Sequence, residues 1–167
     1  TGNALQNVAH GSDGTPVMAV PDTGYHFVKW SDGLTAAKRT DTGIKGNLNV
    51  TALFEINSYT VKFVDYDGTV LKTESVNYKA SATAPKNLPS RKGYSFVGWD
   101  KDYKSVTSDM MVAAQYTINR YRVTFFDYDG STIDIQYVPY GGKASAPDDP
   151  ERKGYDFSGW DRDFSNV

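Results

Sequence analysis

The sequence predicts a β-rich protein built from small modules in tandem, and two observations lead to this fold class. One phrase, Gly-Tyr-x-Phe-x-x-Trp, occurs three times, at 24–30, 93–99 and 154–160, and all 3 tryptophans of the chain occupy its last position. Many segments between the phrases alternate apolar and polar residues and are rich in β-branched and aromatic side chains, which is typical of strands. Such a repeat indicates several copies of one folding unit rather than a single domain.

Alignment of the copies with one another predicts three modules. Residues 59–68 match residues 121–130, and one inserted residue in a proline-containing stretch shifts the later matches, as loops tolerate. The first copy is more divergent, since residues 2–6 match the segment that follows the first strand of the second copy. We therefore expect a first module lacking its first strand, a complete second module and a third module lacking its last strand, at 1–57, 58–118 and 119–167. The chain is then expected to be a piece of a longer array.

The second module shows the expected order of elements within one copy. Asp65, Tyr66, Asp67 and Gly68 form a predicted hairpin turn, because Asp side chains accept hydrogen bonds from turn amides and Gly tolerates a positive φ. In the third module the same turn should place Phe125 opposite Ile133. The connection over 78–92 is expected to be irregular or to contain one helical turn. The predicted strands of this module are 59–64, 69–77, 94–99 and 110–118.

The third of these strands carries rings on both predicted faces. Strict alternation places Tyr94 and Phe96 on one face and Trp99 on the other, so we expect this strand to be central or covered on both sides. Large rings most often contribute to core burial, although stacking on a sugar is the alternative. The predicted core residues are Tyr25, Phe27 and Trp30 in the first module, Phe63, Tyr94, Phe96 and Trp99 in the second, and Phe125, Tyr155, Phe157 and Trp160 in the third.

Composition narrows the classes of function. The formal net charge is −2, from 18 basic and 20 acidic residues, which argues against a nucleic-acid groove or an anionic-membrane patch. Cysteine is absent, which excludes disulfides, thiol catalysis and Cys-based zinc sites. No apolar run is long enough to span a membrane. We expect no nucleic-acid partner and no membrane span in this segment.

The motifs point to no catalytic chemistry. His10 and His26 are the only histidines, both lie in the divergent module, and no Gly-x-Ser-x-Gly sequence occurs. Asp65-x-Asp67-Gly68 could open a calcium loop, but an EF-hand needs a Glu at the twelfth position, where Val76 stands. The sequence therefore predicts a protein that is not an enzyme, with no catalytic, cofactor-binding or metal-binding residues and no cofactor.

Exposed side chains at the hairpin turns are better candidates for ligand contact. Tyr66 and Tyr128 occupy the tips of equivalent turns, and a basic pair precedes the Gly-Tyr phrase in both later modules. The candidate contact residues are Tyr66, Tyr128, Arg91, Lys92, Arg152 and Lys153.

The joins between modules contain no flexible linker. An Ile-Asn-x-Tyr sequence spans both joins, at 56–59 and 118–121, so the last strand of one module nearly continues into the first strand of the next. Such short joins restrict rotation, and we expect a stiff, elongated array in which neighbouring repeats of the chain are partners.

These motifs together resemble the Listeria–Bacteroides repeat, the B-repeat type found in internalin B. The resemblance rests on Tyr-Thr-Val-x-Phe at 59–63, Asp67-Gly68, Ala84-Pro85, Pro89 and the phrase at 93–99, while residues 1–57 are similar to the divergent subgroup. It implies a small module, β-rich or α+β, of β-grasp (ubiquitin-like) character on secreted or cell-surface bacterial proteins.

The resemblance also implies a role without catalysis. We expect an extracellular location, at the bacterial cell surface or cell wall, and a spacer or stalk that displays other domains. The alternative is an adhesive module that binds a host surface protein or glycan through exposed aromatic residues.

Overall fold

The computed structural model describes residues 5–167, so most of the match over 2–6 lies outside the described residues. Within this range the chain forms strands and no helix. The strands in chain order are β1 (Val17–Met18), β2 (Tyr25–Trp30), β3 (Lys38–Arg39), β4 (Ala52–Ile56), β5 (Ser58–Val64), β6 (Val70–Asn77), β7 (Tyr94–Trp99), β8 (Met110–Ile118), β9 (Arg120–Phe126) and β10 (Thr132–Pro139).

The predicted β-rich class is confirmed. The strands β7 and β8 have the predicted bounds, and β5 and β6 differ from prediction by one residue at their starts. The connection over 78–92 consists of turns and irregular structure. The β-grasp arrangement that the family resemblance implies stays a prediction, as do the module boundaries.

The described residues group into two compact units. The first contains residues 5–63 together with Lys72–Ala84 and Lys101–Val112, and the second contains Val64–Leu71, Pro85–Asp100 and Ala113–Val167. In the first unit, β1 pairs with β3 and β2 pairs with β4, both antiparallel. Its most deeply buried side chains are Val61, Phe63, Val106 and Val112.

A β-bulge in β7 overturns the predicted division of its faces. Phe96 pairs with Tyr116 and Trp99 pairs with Ala114, because the register shifts between Phe96 and Gly98. Phe96 and Trp99 therefore share a face, with ring centroids 5.3 Å apart. Val97 takes the extra position and is exposed. The prediction that this strand is central or covered on both sides was also wrong. The sheet order β6-β5-β8-β7 places β7 at an edge, and Ser95 and Val97 are exposed.

A second bulge changes the register of the β9–β10 hairpin. Phe125 pairs with Asp134 rather than with Ile133, because the ladder shifts between Thr132 and Asp134. Phe125 is buried with Val138 and Ala144, whereas Ile133 is 36% exposed. The turn before the bulge is closed by Asp127 N, which donates to Ser131 O at 2.8 Å, and Gly130 in this turn has a φ of 84°.

The structure places the predicted core rings in three environments. Trp30, Phe63 and Phe125 are buried, and Phe27, Tyr94, Phe96, Trp99 and Trp160 are half-buried. Tyr25, Tyr155 and Phe157 are exposed, contrary to the prediction. Tyr25 lies at the end of a two-stranded sheet, and the segment 155–160 has no strand beside it within the described residues.

Candidate functional site

The structure brings together tyrosine and arginine residues that were predicted from the sequence as candidate ligand contacts. The Arg91 guanidinium lies between two rings, 4.2 Å from the centroid of Tyr66 and 3.8 Å from that of Tyr94. Arg152 lies in the same way between Tyr128 at 4.1 Å and Tyr155 at 3.9 Å. We call these two arrangements the arginine clamps. Each holds the end of an irregular connection against a hairpin turn by cation–π attraction.

The clamps use one side of the tyrosines and leave the rest open to solvent. Tyr66 is 54% exposed and Tyr128 is 65% exposed. Lys92 and Lys153, which follow the clamping arginines, are also exposed. The predicted contact residues of each module therefore lie at one corner, around the hairpin turn.

In the second module a further tyrosine completes the clamp. The Tyr116 hydroxyl donates a hydrogen bond to Asp65 Oδ1 at 2.6 Å, and the Tyr116 ring packs edge-on against Tyr66 and Phe96, with both centroids 5.9 Å away. Burial, and then the bond to Asp65, raise the pKa of Tyr116 to about 12. Tyr116 is therefore a protonated donor at physiological pH.

The carboxylates of the hairpin turns accept hydrogen bonds from backbone amides of the same turns. Asp67 Oδ1 accepts a hydrogen bond from Thr69 N, and Asp129 Oδ1 accepts one from Ser131 N, both at 2.9 Å. These amide donors lower the pKa of each carboxyl. Across residues 5–167, no group of three or more His, Asp or Glu side chains is placed to hold a metal ion.

An asparagine connects successive modules at each join. Asn57 N donates to Gly24 O at 2.8 Å, and Asn57 O accepts from Tyr78 N at 2.8 Å. Asn119 makes the same pair of bonds with Gly93 O at 2.9 Å and with Tyr140 N at 2.8 Å. One residue thus ties the phrase of one module to the first hairpin of the next.

At both joins a tyrosine ring of the later module lies directly on a glycine of the earlier one. A Cβ on Gly24 would lie 1.8 Å from Tyr78 Cδ1, and a Cβ on Gly93 would lie 1.9 Å from Tyr140 Cδ1. Both glycines have a positive φ, of 85° and 77°. Glycine is the residue type that tolerates both this backbone conformation and so close an approach, because it has no Cβ. We call each set of Gly, Asn and Tyr a junction.

The contacts at the junctions were not predicted from the sequence, although the residues that make them repeat. Tyr78 and Tyr140 occupy equivalent positions of the second and third modules, and the glycines open the repeated phrase. The residue two places after each glycine adds a side-chain contact to the junction asparagine. His26 Nδ1 lies 2.8 Å from Asn57 Oδ1, and Ser95 Oγ donates to Asn119 Oδ1 at 2.7 Å. Only the three-dimensional contact reveals that these positions meet.

The third module contains a cavity of about 840 Å³ between β9 and the segment 155–160. Rings line it, including Phe125, Phe157 and Trp160. In the second module the equivalent place, between β5 and β7, is occupied by β8. The cavity therefore has the position of a sheet strand, and we call it the strand slot.

We predict that the strand slot binds a peptide with the sequence of residues 107–118. Its tyrosine, placed as Tyr116 is, would reach Asp127, Tyr128 and Phe157, which are the equivalents of the groups that Tyr116 contacts. Binding should raise the thermal midpoint of the third module, since a ligand that binds only the folded state stabilises it. Trp160 fluorescence measures peptide binding, and calorimetry measures the thermal midpoint. A peptide carrying Val112→Asp is the control, and equal binding of the two peptides would contradict the prediction.

The divergent first module contains a buried cation instead of an arginine clamp. The Arg39 side chain is 3% exposed and contacts Asp32 Oδ2 at 3.0 Å and, through Nε, Asp41 Oδ2 at 3.1 Å. Its guanidinium lies 4.9 Å from the centroid of Trp30. The hydrogen bond from Arg39 lowers the pKa of Asp32, and the bonds to Asp41 and then Asp32 raise the pKa of Arg39.

We predict that this ion cluster makes the first module sensitive to acid. A carboxyl whose pKa is lower in the folded state stabilises folding above its unfolded pKa of about 3.9, and the contribution is lost as the pH falls through the folded value. Asp32→Asn should therefore make unfolding of the first module less dependent on pH on the acid side. Trp30 fluorescence reports this unfolding in a variant with Trp99→Phe and Trp160→Phe, where Trp30 is the remaining tryptophan. An acid limb unchanged by Asp32→Asn would contradict this assignment.

Within residues 5–167 the chain forms no helix with the length and hydrophobicity of a transmembrane segment.

The repeated clamps and junctions define a class of protein, a tandem array of one small β module. Profiles of two related domain families match nearly all of the chain: the divergent InlB B-repeat domain over residues 1–58, and the Listeria–Bacteroides repeat domain over 59–119 and again over 121–166. The chain belongs to the Listeria–Bacteroides repeat family, with a first module of the divergent InlB B-repeat type, as the resemblance in the sequence indicated.

Three curated proteins illustrate the relationship. The chain is 33% identical over 130 residues to a "Putative membrane protein" of Evansella cellulosilytica, covering 72% of the chain and 19% of the relative. It is 31% identical over 153 residues to a "Putative Gly-rich membrane protein" of the same organism, covering 84% and 18%. It is 35% identical over 115 residues to internalin H of Listeria monocytogenes, covering 62% and 20%. The chain thus spans about a fifth of the length of these relatives.

Proposed function

We propose that this chain is a non-catalytic spacer segment of a bacterial surface protein, which holds other domains away from the cell. The observation that carries the proposal is the junction, which occurs twice with the same chemistry. Asn57 and Asn119 each make two backbone hydrogen bonds, to a glycine of the earlier module and to a tyrosine of the later one. A spacer needs joins of this kind, because a segment that bends freely cannot hold a fixed distance.

The contacts at the junctions support a stiff join. Flexible linkers leave successive domains free to reorient, and the two joins here contain no Gly/Ser-rich segment. The tyrosine rings on Gly24 and Gly93 leave no space for a Cβ, so each ring is held at a defined place. Any bending at the join must break these contacts together with the Asn hydrogen bonds.

The relatives support a location at the cell surface. The chain shares its repeats with internalin H and with two proteins whose names include the words membrane protein. A segment that spans about a fifth of such proteins leaves other parts of the polypeptide to anchor it and to carry the displayed domains. We infer an extracellular position, at the cell surface or in the cell wall.

Small-angle X-ray scattering tests the spacer function. We expect an elongated particle with a narrow distribution of conformations, whereas a variant with a Gly-Ser-Gly-Ser insertion after Asn119 should show a broadened distribution. The variant Tyr140→Ala, which removes the ring from Gly93, should fall between the two. A compact globule, or scattering that the insertion leaves unchanged, would reject the proposal.

Adhesion is the second candidate function, and the exposed parts of Tyr66 and Tyr128 favour it. Tyrosine edges beside a guanidinium suit contact with a glycan or with a host surface protein. Glycan arrays and binding to host proteins, compared between the native chain and Tyr66→Ala/Tyr128→Ala, test this candidate. Binding that the double variant loses would support adhesion, and an absence of binding would leave the spacer function alone.

A further inference from the structure

Lys79 is the one residue other than glycine with a left-handed backbone conformation among residues 5–167. Its φ is 62°, a region in which the Cβ of an L residue crowds the following carbonyl oxygen. Conformations of this kind persist where the surrounding structure enforces them, and they concentrate at positions with a function. Lys79 directly follows Tyr78, whose ring lies on Gly24 at the first junction.

The turn around Lys79 does not require a lysine, because the other two modules have glycine there. Gly11 and Gly141 occupy the equivalent positions, with φ of 80° and 71°. The backbone bond is also the same, since Lys79 N donates to Val106 O at 2.7 Å and Gly141 N donates to Val167 O at 2.6 Å. A glycine at position 79 would therefore make the same turn, and the reason for the lysine lies in its side chain.

The Lys79 ammonium contacts the ring of the first junction. It lies 5.3 Å from the centroid of the Tyr78 ring, which is within the range of cation–π attraction. Across the described residues this ammonium has no carboxylate within ion-pair distance, so the ring is the partner that the structure gives its charge. Tyr78 is thus contacted both by the backbone of Gly24 and by the ammonium of Lys79.

The second junction holds its tyrosine in another way. Gly141 has no side chain to contact Tyr140, and the Tyr121 ring packs against Tyr140 instead, with centroids 6.5 Å apart. The backbone hydrogen bonds of the asparagine are the same at both junctions. The lysine is therefore a feature of the first junction, and the second junction is a control within the same molecule.

Lysine and glycine at position 79 should give the module nearly the same stability. A left-handed L residue shifts the folding equilibrium unfavourably by a factor of about 5 to 30. Two smaller effects oppose this shift: lysine has fewer conformations than glycine in the unfolded chain, and an exposed cation–π contact is favourable, each by a factor of about 2 to 5. Lysine therefore adds little to the stability of the module, whereas its attraction acts directly on the junction ring.

We propose that Lys79 is a positioning residue of the first junction, whose ammonium holds the Tyr78 ring on Gly24 and so opposes opening of this join. Opening separates the ring from Gly24 and breaks the two backbone hydrogen bonds of Asn57. Without the ammonium, opening becomes more frequent by the factor of about 2 to 5 that the cation–π contact contributes. The consequence for bending of the array rests on the proposed spacer function, whereas the contact itself does not.

Amide hydrogen exchange of the native chain and three variants tests the proposal. Exchange at Asn57 and Tyr78 reports opening of the first junction, because both amides donate hydrogen bonds within it. In Lys79→Ala, which keeps the backbone strain and removes the ammonium, we expect both amides to exchange about 2 to 5 times faster. Lys79→Gly should show the same acceleration with a nearly unchanged midpoint of unfolding in urea. Lys79→Arg, which keeps a cation, should restore native exchange.

The amides of Asn119 and Tyr140 are the internal control and should not change in any variant. Native exchange at Asn57 and Tyr78 in Lys79→Ala would overturn the proposal. So would equal acceleration at all four amides, which would indicate a general loosening, or exchange in Lys79→Arg as fast as in Lys79→Ala. These results would leave the spacer function standing, since scattering tests it separately, and a compact particle in scattering would reject the spacer function without affecting the contact.

Discussion

Replacing Gly93 with alanine should destabilise the second junction by about 2–5 kcal/mol. A non-glycine residue at a positive φ costs roughly 1–2 kcal/mol, and overpacking costs roughly 1–3 kcal/mol more. Both penalties apply, because Gly93 has a φ of 77° and its added Cβ would lie 1.9 Å from Tyr140 Cδ1. Urea denaturation measures the loss in free energy of unfolding. Two variants report the two adjoining modules: one keeps Trp99 and the other keeps Trp160, with the remaining tryptophans changed to Phe.

Gly154 is the matched control for this prediction. It opens the same phrase with a φ of 80°, but no described atom outside its neighbours lies within 4 Å of its Cβ position. Gly154→Ala should therefore show only the backbone penalty, about 1–2 kcal/mol. Adding Tyr140→Ala to Gly93→Ala should recover the steric part, as a coupling energy in a double-mutant cycle. Equal losses for Gly93→Ala and Gly154→Ala would mean that the ring does not press on the glycine.

Phe63→Ala should destabilise the second module by about 3–5 kcal/mol, as truncation of a buried Phe does in well-packed cores. Phe63 has no exposed surface, and its ring packs edge-on against Tyr103 with centroids 5.2 Å apart. Val61, Val106 and Val112 of the same compact unit are also buried, and small β-branched side chains can refill little of the space that a ring leaves. Trp99 fluorescence in urea, in the variant with Trp30→Phe and Trp160→Phe, reports the module that contains Phe63.

Val97→Ala is the control for this second prediction. Val97 occupies the bulge of β7 and is exposed, so its truncation should change the free energy of unfolding by no more than about 0.5 kcal/mol. A loss below ~1 kcal/mol for Phe63→Ala would show that Phe63 is not the centre of this core.

Much of the backbone could be predicted because strand patterns are local. The bounds of β7 and β8 follow from alternation, and the turn at 65–68 follows from the chemistry of Asp and Gly. The bulges could not be predicted in the same way. Strict alternation placed Trp99 on the face opposite Phe96, and one extra residue at Val97 moved it to the same face. Pairing with β8 decides this register, and β8 lies outside the local sequence.

Part of the candidate site could likewise be predicted from the sequence, and part could not. The sequence indicated four candidate contact residues without relating them to one another: Tyr66, Arg91, Tyr128 and Arg152. In the structure, Arg91 stacks on Tyr66 and Arg152 stacks on Tyr128, in the arginine clamps. Their value as ligand contacts stays a prediction. No local pattern relates Tyr140 to Gly93, because the contact joins two modules across 47 residues of chain.

The sequence by itself determined the family, the repeat and the strands, because each depends on the order of residues along a short stretch of chain. The tertiary structure alone decided which rings meet and which glycine lies under a tyrosine. The physical reason is that bulges, stacking and Cβ clashes depend on distances of a few ångströms between segments far apart in the chain.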